Sequence, residues 1–199
     1  MKHSIILAIT LIFLAGCQNS NKKQVKGLVN SKTMCAPVTT DSEWYNGDNI
    51  APLFEGLGDL DYPISTADTL VQRYFNQGLI LAYGFNHAEA ARSFYYATRL
   101  DPNCAMAFWA YAYVLGPNYN AGMESDNYER AYKAIMEATK LSKKNTTEKE
   151  RGLIEALSKR YVKEAVEDRS PLDLAYAHAM KELYAKYPND ADVGVLYAE

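Results

Sequence analysis

The chain has 199 residues, 48% of them hydrophobic and 23% charged, with a formal net charge of −3. This balance is that of an ordinary globular domain; it argues against disorder over most of the length and against nucleic-acid binding, which needs a basic surplus. Tyrosine is abundant, with 16 copies against 6 Phe and 2 Trp, which provides many half-buried amphipathic contact surfaces.

Residues 1–17 read MKHSIILAITLIFLAGC. Lys2 and His3 give a short basic start, and the apolar run from Ile5 to Gly16 is too short for a permanent membrane span. It reads as a secretory signal peptide. Its end, Leu14-Ala15-Gly16-Cys17, resembles the lipobox of bacterial lipoproteins. The resemblance implies cleavage after residue 16 and lipid on the Cys17 thiol. The alternative is a signal peptide that happens to have a cysteine near its end. Gln18 in place of Asp, and the absence of an acidic cluster over Asn19 to Lys23, imply an outer-membrane anchor facing the periplasm.

Residues 17–40 read as the lipidated cysteine and a flexible tether, polar and without a period. Residues 41–64 form an irregular lead-in: Gly47, Pro52, Gly56, Gly58 and Pro63 punctuate Leu53, Phe54, Leu57 and Leu60, with room for one helical turn at 51–56. Cys35 lies in the tether and Cys104 in the body. An oxidising compartment permits a bond between them, but nothing in the spacing requires it, and unpaired thiols are the preferred reading.

From residue 65 to 199 the pattern is helical. Ser65-Thr66 is the expected N-cap of a helix over 67–85, with Asp68 in its first turn. Asn86 and His87 form a tight break. Ala90, Ala91, Phe94, Ala97 and Leu100 then share one face of a helix over 88–100, which Asp101-Pro102 ends. The helix expected over 103–115 is almost wholly apolar, and Gly116-Pro117 ends it. Asp126 with Glu129, and Thr147 with Glu150, have capping-box spacing for two more helices. Ser170-Pro171 reads as a cap followed by proline at the first helical position, and a last helix begins near Asn189. No strand signal competes. Leu196 to Glu199 ends the sequence without a polar cap, so the chain is expected to be incomplete.

Pro102 and Pro188 each close a helix pair. Tyr74, Gly78, Ala90, Phe94, Ala97 and Pro102 occupy the places that mark a tetratricopeptide repeat, and residues 71–104 closely resemble one. Gln77 and Leu81 depart from the pattern. The resemblance continues more weakly through Phe108, Tyr111, Ala112, Ala131, Ile135 and Ala138, and again through Met180, Leu183 and Pro188. It implies an all-α fold, a right-handed superhelix of antiparallel helix pairs. It also implies a concave face lined by first helices, with Gln72, Tyr83, Met106, Trp109 and Tyr113 as partner-binding residues. Phe75 and Leu79 either line that face or pack on the lead-in.

No nucleophile elbow, P-loop or dinucleotide fingerprint is present, and Gly56-Leu57-Gly58 is a turn. Equivalent turns of stacked pairs lie side by side, which gathers Asn86, His87, Asn118 and Asn120 on one rim. They form a candidate site or, on the plainer reading, cap helices and fix turns. A copper variant adds Cys104, Met106 and Met123 to His87, although such residues at helical positions are usually core. FNHAEA with GPNYN looks like a subgroup of bacterial tetratricopeptide lipoproteins, which carries no activity over. The expectation is therefore a membrane-anchored, non-enzymatic interaction protein without cofactor or metal, whose partner is an unidentified protein or peptide. The alternative is a periplasmic enzyme or metal-handling protein that uses the His87 rim or a region beyond residue 199.

Overall fold

Apolar residues at helical spacing settle the secondary structure. The structure, a computed structural model, describes residues 42–198. Cys17, Cys35, the signal segment and the tether lie outside the described residues. Among the described residues there are eight helices: α1 Ser42–Asn46, α2 Thr69–Tyr83, α3 His87–Leu100, α4 Ala105–Val114, α5 Asn127–Leu141, α6 Glu148–Ser158, α7 Ser170–Lys186 and α8 Ala191–Ala198. No strand forms among them; one isolated antiparallel bridge joins Asn118 to Ala121.

The caps show where local signals held and where tertiary partners overrode them. The Thr147–Glu150 capping box forms: Glu150 N–H donates to Thr147 Oγ1 at 3.1 Å, and Thr147 N–H to Glu150 Oε2 at 2.7 Å. The box expected at Asp126 and Glu129 does not form. Asp126 is in the right-handed helical region, with its carboxylate paired to Arg130 at 3.1 Å, and Glu129 pairs with Lys133 at 2.9 Å. Asp68, not Ser65-Thr66, caps α2, accepting from Leu70 N–H at 2.7 Å. Ser65 is engaged elsewhere: its N–H and hydroxyl both donate to Glu150, at 2.6 and 2.5 Å. Ser170 is inside α7 rather than capping it, and its own N–H donates to Asp168 at 2.9 Å.

Residues 51–56 hold no helical turn. Gly56 and Gly58 have φ of +76° and +93°, which breaks any helix there. The lead-in is a strap laid along α2. An extended segment has no internal partners for its backbone, and α2 supplies them. Tyr74 OH donates to Ala51 O at 2.7 Å, and Gln77 binds both Pro52 O and Phe54 N–H, at 2.9 and 2.7 Å. Gln72 does the same for Tyr62 O and Ile64 N–H, at 2.7 and 3.0 Å. Tyr62 is 1% exposed, with its ring 5.6 Å from that of Phe75. Upstream, α1 docks by aromatic contact: the Tyr45 ring lies 5.1 Å from Tyr95 and 5.9 Å from Tyr111.

From α2 to α8 each helix packs on the next, and α2 also touches α4, as α4 touches α6. Small residues permit the close approach. Ala90, Ala97 and Ala131 are wholly buried. A Cβ at Gly78 would lie 2.4–2.6 Å from three carbons of the Phe94 ring, itself 0% exposed. Ala in a helix interior is ordinarily better than Gly by about 1 kcal/mol. Here overpacking against an immobile ring reverses the sign, and Gly78→Ala is expected to lose about 2 kcal/mol net. Urea denaturation checks this against Gly122→Ala, where nothing lies within 4 Å of the added carbon and no loss is expected.

Candidate functional site

The α2–α3 turn builds one wall of a groove. Asn86 N–H donates to Leu81 O at 2.8 Å, and Phe85 N–H to Ala82 O at 3.0 Å. This tight path forces Phe85 to φ +61°, a region that bulky residues rarely occupy. The side chain points outward and is 52% exposed. His87 then opens α3, with its ring 6.2 Å from that of Phe85. Asn86 is the N-cap, accepting from Glu89 N–H. His87 thus belongs to the helix and not to the expected break.

The turn after α4 builds the facing wall. Asn118 and Ala121 exchange backbone hydrogen bonds at 2.9 and 3.2 Å, and Asn118 Oδ1 accepts from Asn120 N–H at 2.9 Å. That locks the loop and leaves Tyr119 at its tip, 90% exposed. Val195 of α8 is also part of the lining. The groove between Tyr83, Phe85, His87, Tyr113, Tyr119 and Val195 has a volume of about 330 Å³, and Ala82 and Asn118 complete it.

Among the described residues no charged side chain lines the groove. His87 is 9% exposed, and its Nε2 is buried without a hydrogen-bond partner. Burial lowers the imidazole pKa below its ordinary value of 6.5. The sign of the consequence follows from linkage. The unfolded chain takes up this proton at higher pH than the folded one, so stability falls as pH drops from about 6.5 through the folded value. Between pH 7.5 and 5.5, wild type should lose more stability than His87→Phe, as urea midpoints at the two pH values would show.

The expected sites fare unequally. Tyr83, His87, Tyr113 and Asn118, read from the sequence as two separate sets, meet in this one groove. Asn86 and Asn120 serve the turns and are not part of the lining. The expectation that Gln72, Met106 and Trp109 offer an open face is corrected. Gln72 spends its amide on the strap. Met106 and Trp109 are each 1% exposed, because the chain's own helices cover them. Trp109 Nε1–H donates to Leu153 O of α6 at 3.2 Å, and its ring stacks on Tyr113 at 5.5 Å with 5° between planes. Tyr113 is 8% exposed, so its truncation would cost packing as well as surface. Phe75 and Leu79, at 0% and 1%, are likewise core.

The copper set does not assemble. His87 starts α3 and Cys104 follows its other end, about 20 Å away by helical rise. Met123 Sδ lies 3.4 Å from Arg169 Nη1, and Met106 is core. Among the described residues no three His, Cys, Asp or Glu side chains gather as metal ligands. Cys104 is a free, buried thiol whose pKa burial pushes up to about 11. It is therefore protonated and unreactive near neutrality. No described helix is long and apolar enough to cross a membrane. No family model, curated protein or solved structure matches the chain.

Sequence reasoning missed Phe85, Tyr119 and Val195 as site residues. Tyr119 had a signal, an aromatic flanked by two turn-forming asparagines. Val195 had none, since it lies 76 residues beyond Tyr119 in sequence.

Proposed function

We propose that the chain is a non-enzymatic binding protein that takes a partner peptide or protein at the groove beside His87. Its helix pairs stack as a tetratricopeptide-like solenoid, a right-handed superhelix of antiparallel pairs. Lipid on Cys17 holds it at a membrane, with the body on the periplasmic side of the outer membrane. One observation carries the binding reading. Tyr83, Phe85, Tyr119 and Val195, exposed at 37%, 52%, 90% and 51%, surround a single groove. Scattered exposed apolar residues are ordinary, but a gathered set marks an interaction site. The stacking reading is supported by the contact order, in which each helix meets its neighbours in sequence and alternate first helices touch.

The test uses the Cys17→Ser protein, which should leave the membrane fraction because a single thiol carries the anchor. Immobilised, it is offered periplasmic extract. Phe85→Ala and Tyr119→Ala should each weaken capture of specific proteins about 30-fold, the effect of losing an interface anchor worth about 2 kcal/mol. Leu174→Ala, a control at a side chain 60% exposed and outside the groove lining, should change nothing. Tyr119 is too exposed for its loss to lower the melting temperature. Equal capture by wild type and both groove variants would overturn the reading.

A further inference from the structure

A second cavity, larger than the groove at about 470 Å³, opens between the strap and α2 and shares no lining residue with the groove beside His87. Its α2 wall is one stripe. Arg73, Asn76 and Ile80 follow at intervals of three and four residues, the spacing that sets helical side chains side by side. Asn76 Oδ1 accepts from Tyr62 N–H at 3.3 Å and from Gln72 Nε2–H at 2.9 Å, but its Nδ2 donates to nothing among the described residues. The exposed Arg73 guanidinium has no hydrogen bond or ion pair among them either. The strap wall brings Asp59 and Asp61, both exposed and likewise without a hydrogen bond or ion pair among the described residues. From Gly56 to Asp61 no backbone N–H or C=O has a described partner. Phe54, Leu57 and Leu60 add apolar surface to the same wall.

Charges of both signs thus border one space without pairing across it. A ligand of a single sign would satisfy one wall and bring a like charge to the other. A ligand that carries both signs satisfies both walls, and a cleft with apolar sides strengthens each attraction. We propose that the strap–α2 cavity binds a small zwitterion with an apolar body, a free α-amino acid or a short peptide, with its carboxylate on Arg73 and Asn76 Nδ2 and its ammonium on Asp59 and Asp61. Guanidinium and amide N–H groups suit a carboxylate, and carboxylates suit an ammonium, which only donates. The unpartnered strap N–H and C=O groups supply the remaining hydrogen bonds. The side chain of the ligand lies against Phe54, Leu57 and Ile80, where its burial is favourable. The volume falls within the range of small-molecule sites.

The full chain carrying Cys17→Ser is titrated calorimetrically with four probes. L-Leucine and its dipeptide leucyl-leucine are zwitterions. Isocaproate is leucine without the ammonium, and isopentylamine is leucine without the carboxylate. At least one zwitterion should bind about tenfold more tightly than either singly charged probe, the effect of one more charge-assisted contact. Either order of leucine and dipeptide supports the proposal, and the order tells a free amino acid from a short peptide. Arg73→Gln should weaken zwitterion and isocaproate binding about tenfold without weakening isopentylamine. Asp59→Asn combined with Asp61→Asn should weaken zwitterion and isopentylamine binding without weakening isocaproate. None of these three side chains holds a partner in the fold, so the melting temperatures of the variants should match the parent chain. Zwitterions that bind no more tightly than the singly charged probes would overturn the ligand class. Zwitterion binding left intact by both sets of substitutions would overturn the site. Absence of binding by all four probes would overturn the proposal altogether, and none of these results bears on partner capture at the groove beside His87.

Discussion

Trp109→Ala should unfold the protein far more readily than it changes any binding. The indole is 1% exposed, stacks on Tyr113 and donates its N–H to Leu153 O at 3.2 Å. Truncation leaves a cavity the size of two fused rings and removes a hydrogen bond to a helix carbonyl at the α4–α6 contact. Core Trp→Ala changes cost about 3–5 kcal/mol, which for a domain of this size is a melting-temperature drop of about 10 °C or more. That is a large share of a total stability of about 5–15 kcal/mol. Thermal unfolding followed by circular dichroism checks it. A variant that melts like wild type but loses its partner would restore Trp109 to the binding face and contradict its burial.

Glu150→Ala should come next in size. The carboxylate is 2% exposed and accepts from Ser65 N–H, Ser65 Oγ and Thr147 N–H. Alanine leaves three donors without their acceptor, two of them on the strap. Each buried orphan costs about 1–3 kcal/mol, less where water can enter, so a loss of about 3 kcal/mol is expected. Thr147→Ala supplies the comparison. It removes only the cap at Glu150 N–H, worth about 1 kcal/mol. Urea denaturation separates the two, and hydrogen exchange at Ser65 should quicken in Glu150→Ala alone. Equal losses in both variants would mean that Glu150 acts only as a helix cap.

The helices were legible because their signals are local. The small-to-large fit of Gly78 on Phe94 needs nothing beyond one pair of helices. The two capping boxes show the limit of such reading. Thr147 with Glu150 and Asp126 with Glu129 have the same spacing, but Arg130 and Lys133 sit four residues after the second pair and draw its carboxylates away. Periodicity also cannot say whether an apolar face meets a partner or the rest of its own chain. For Met106 and Trp109 the answer lay at distant positions such as Leu153. One local clue was available: α4 is apolar on every side, and such helices are buried. The closeness of His87 and Asn118 was foreseeable from stacked turns. The contribution of Val195 depended on where α8 comes to rest, and Phe85 on a backbone angle that no composition rule assigns to phenylalanine.

The hydrogen bonds from Ser65 to Glu150 join positions 85 residues apart, and they alter how the body comes apart. In an open array of helix pairs, an end pair can melt while the rest persists, because each pair answers only to its neighbours. Here the segment ahead of α2 is fastened to α6. Fraying of that segment must break a part-buried contact on a helix four elements further along the chain. The segment and α6 are thereby made to share one transition, a coupling that helices packed only on their sequence neighbours would not have by themselves.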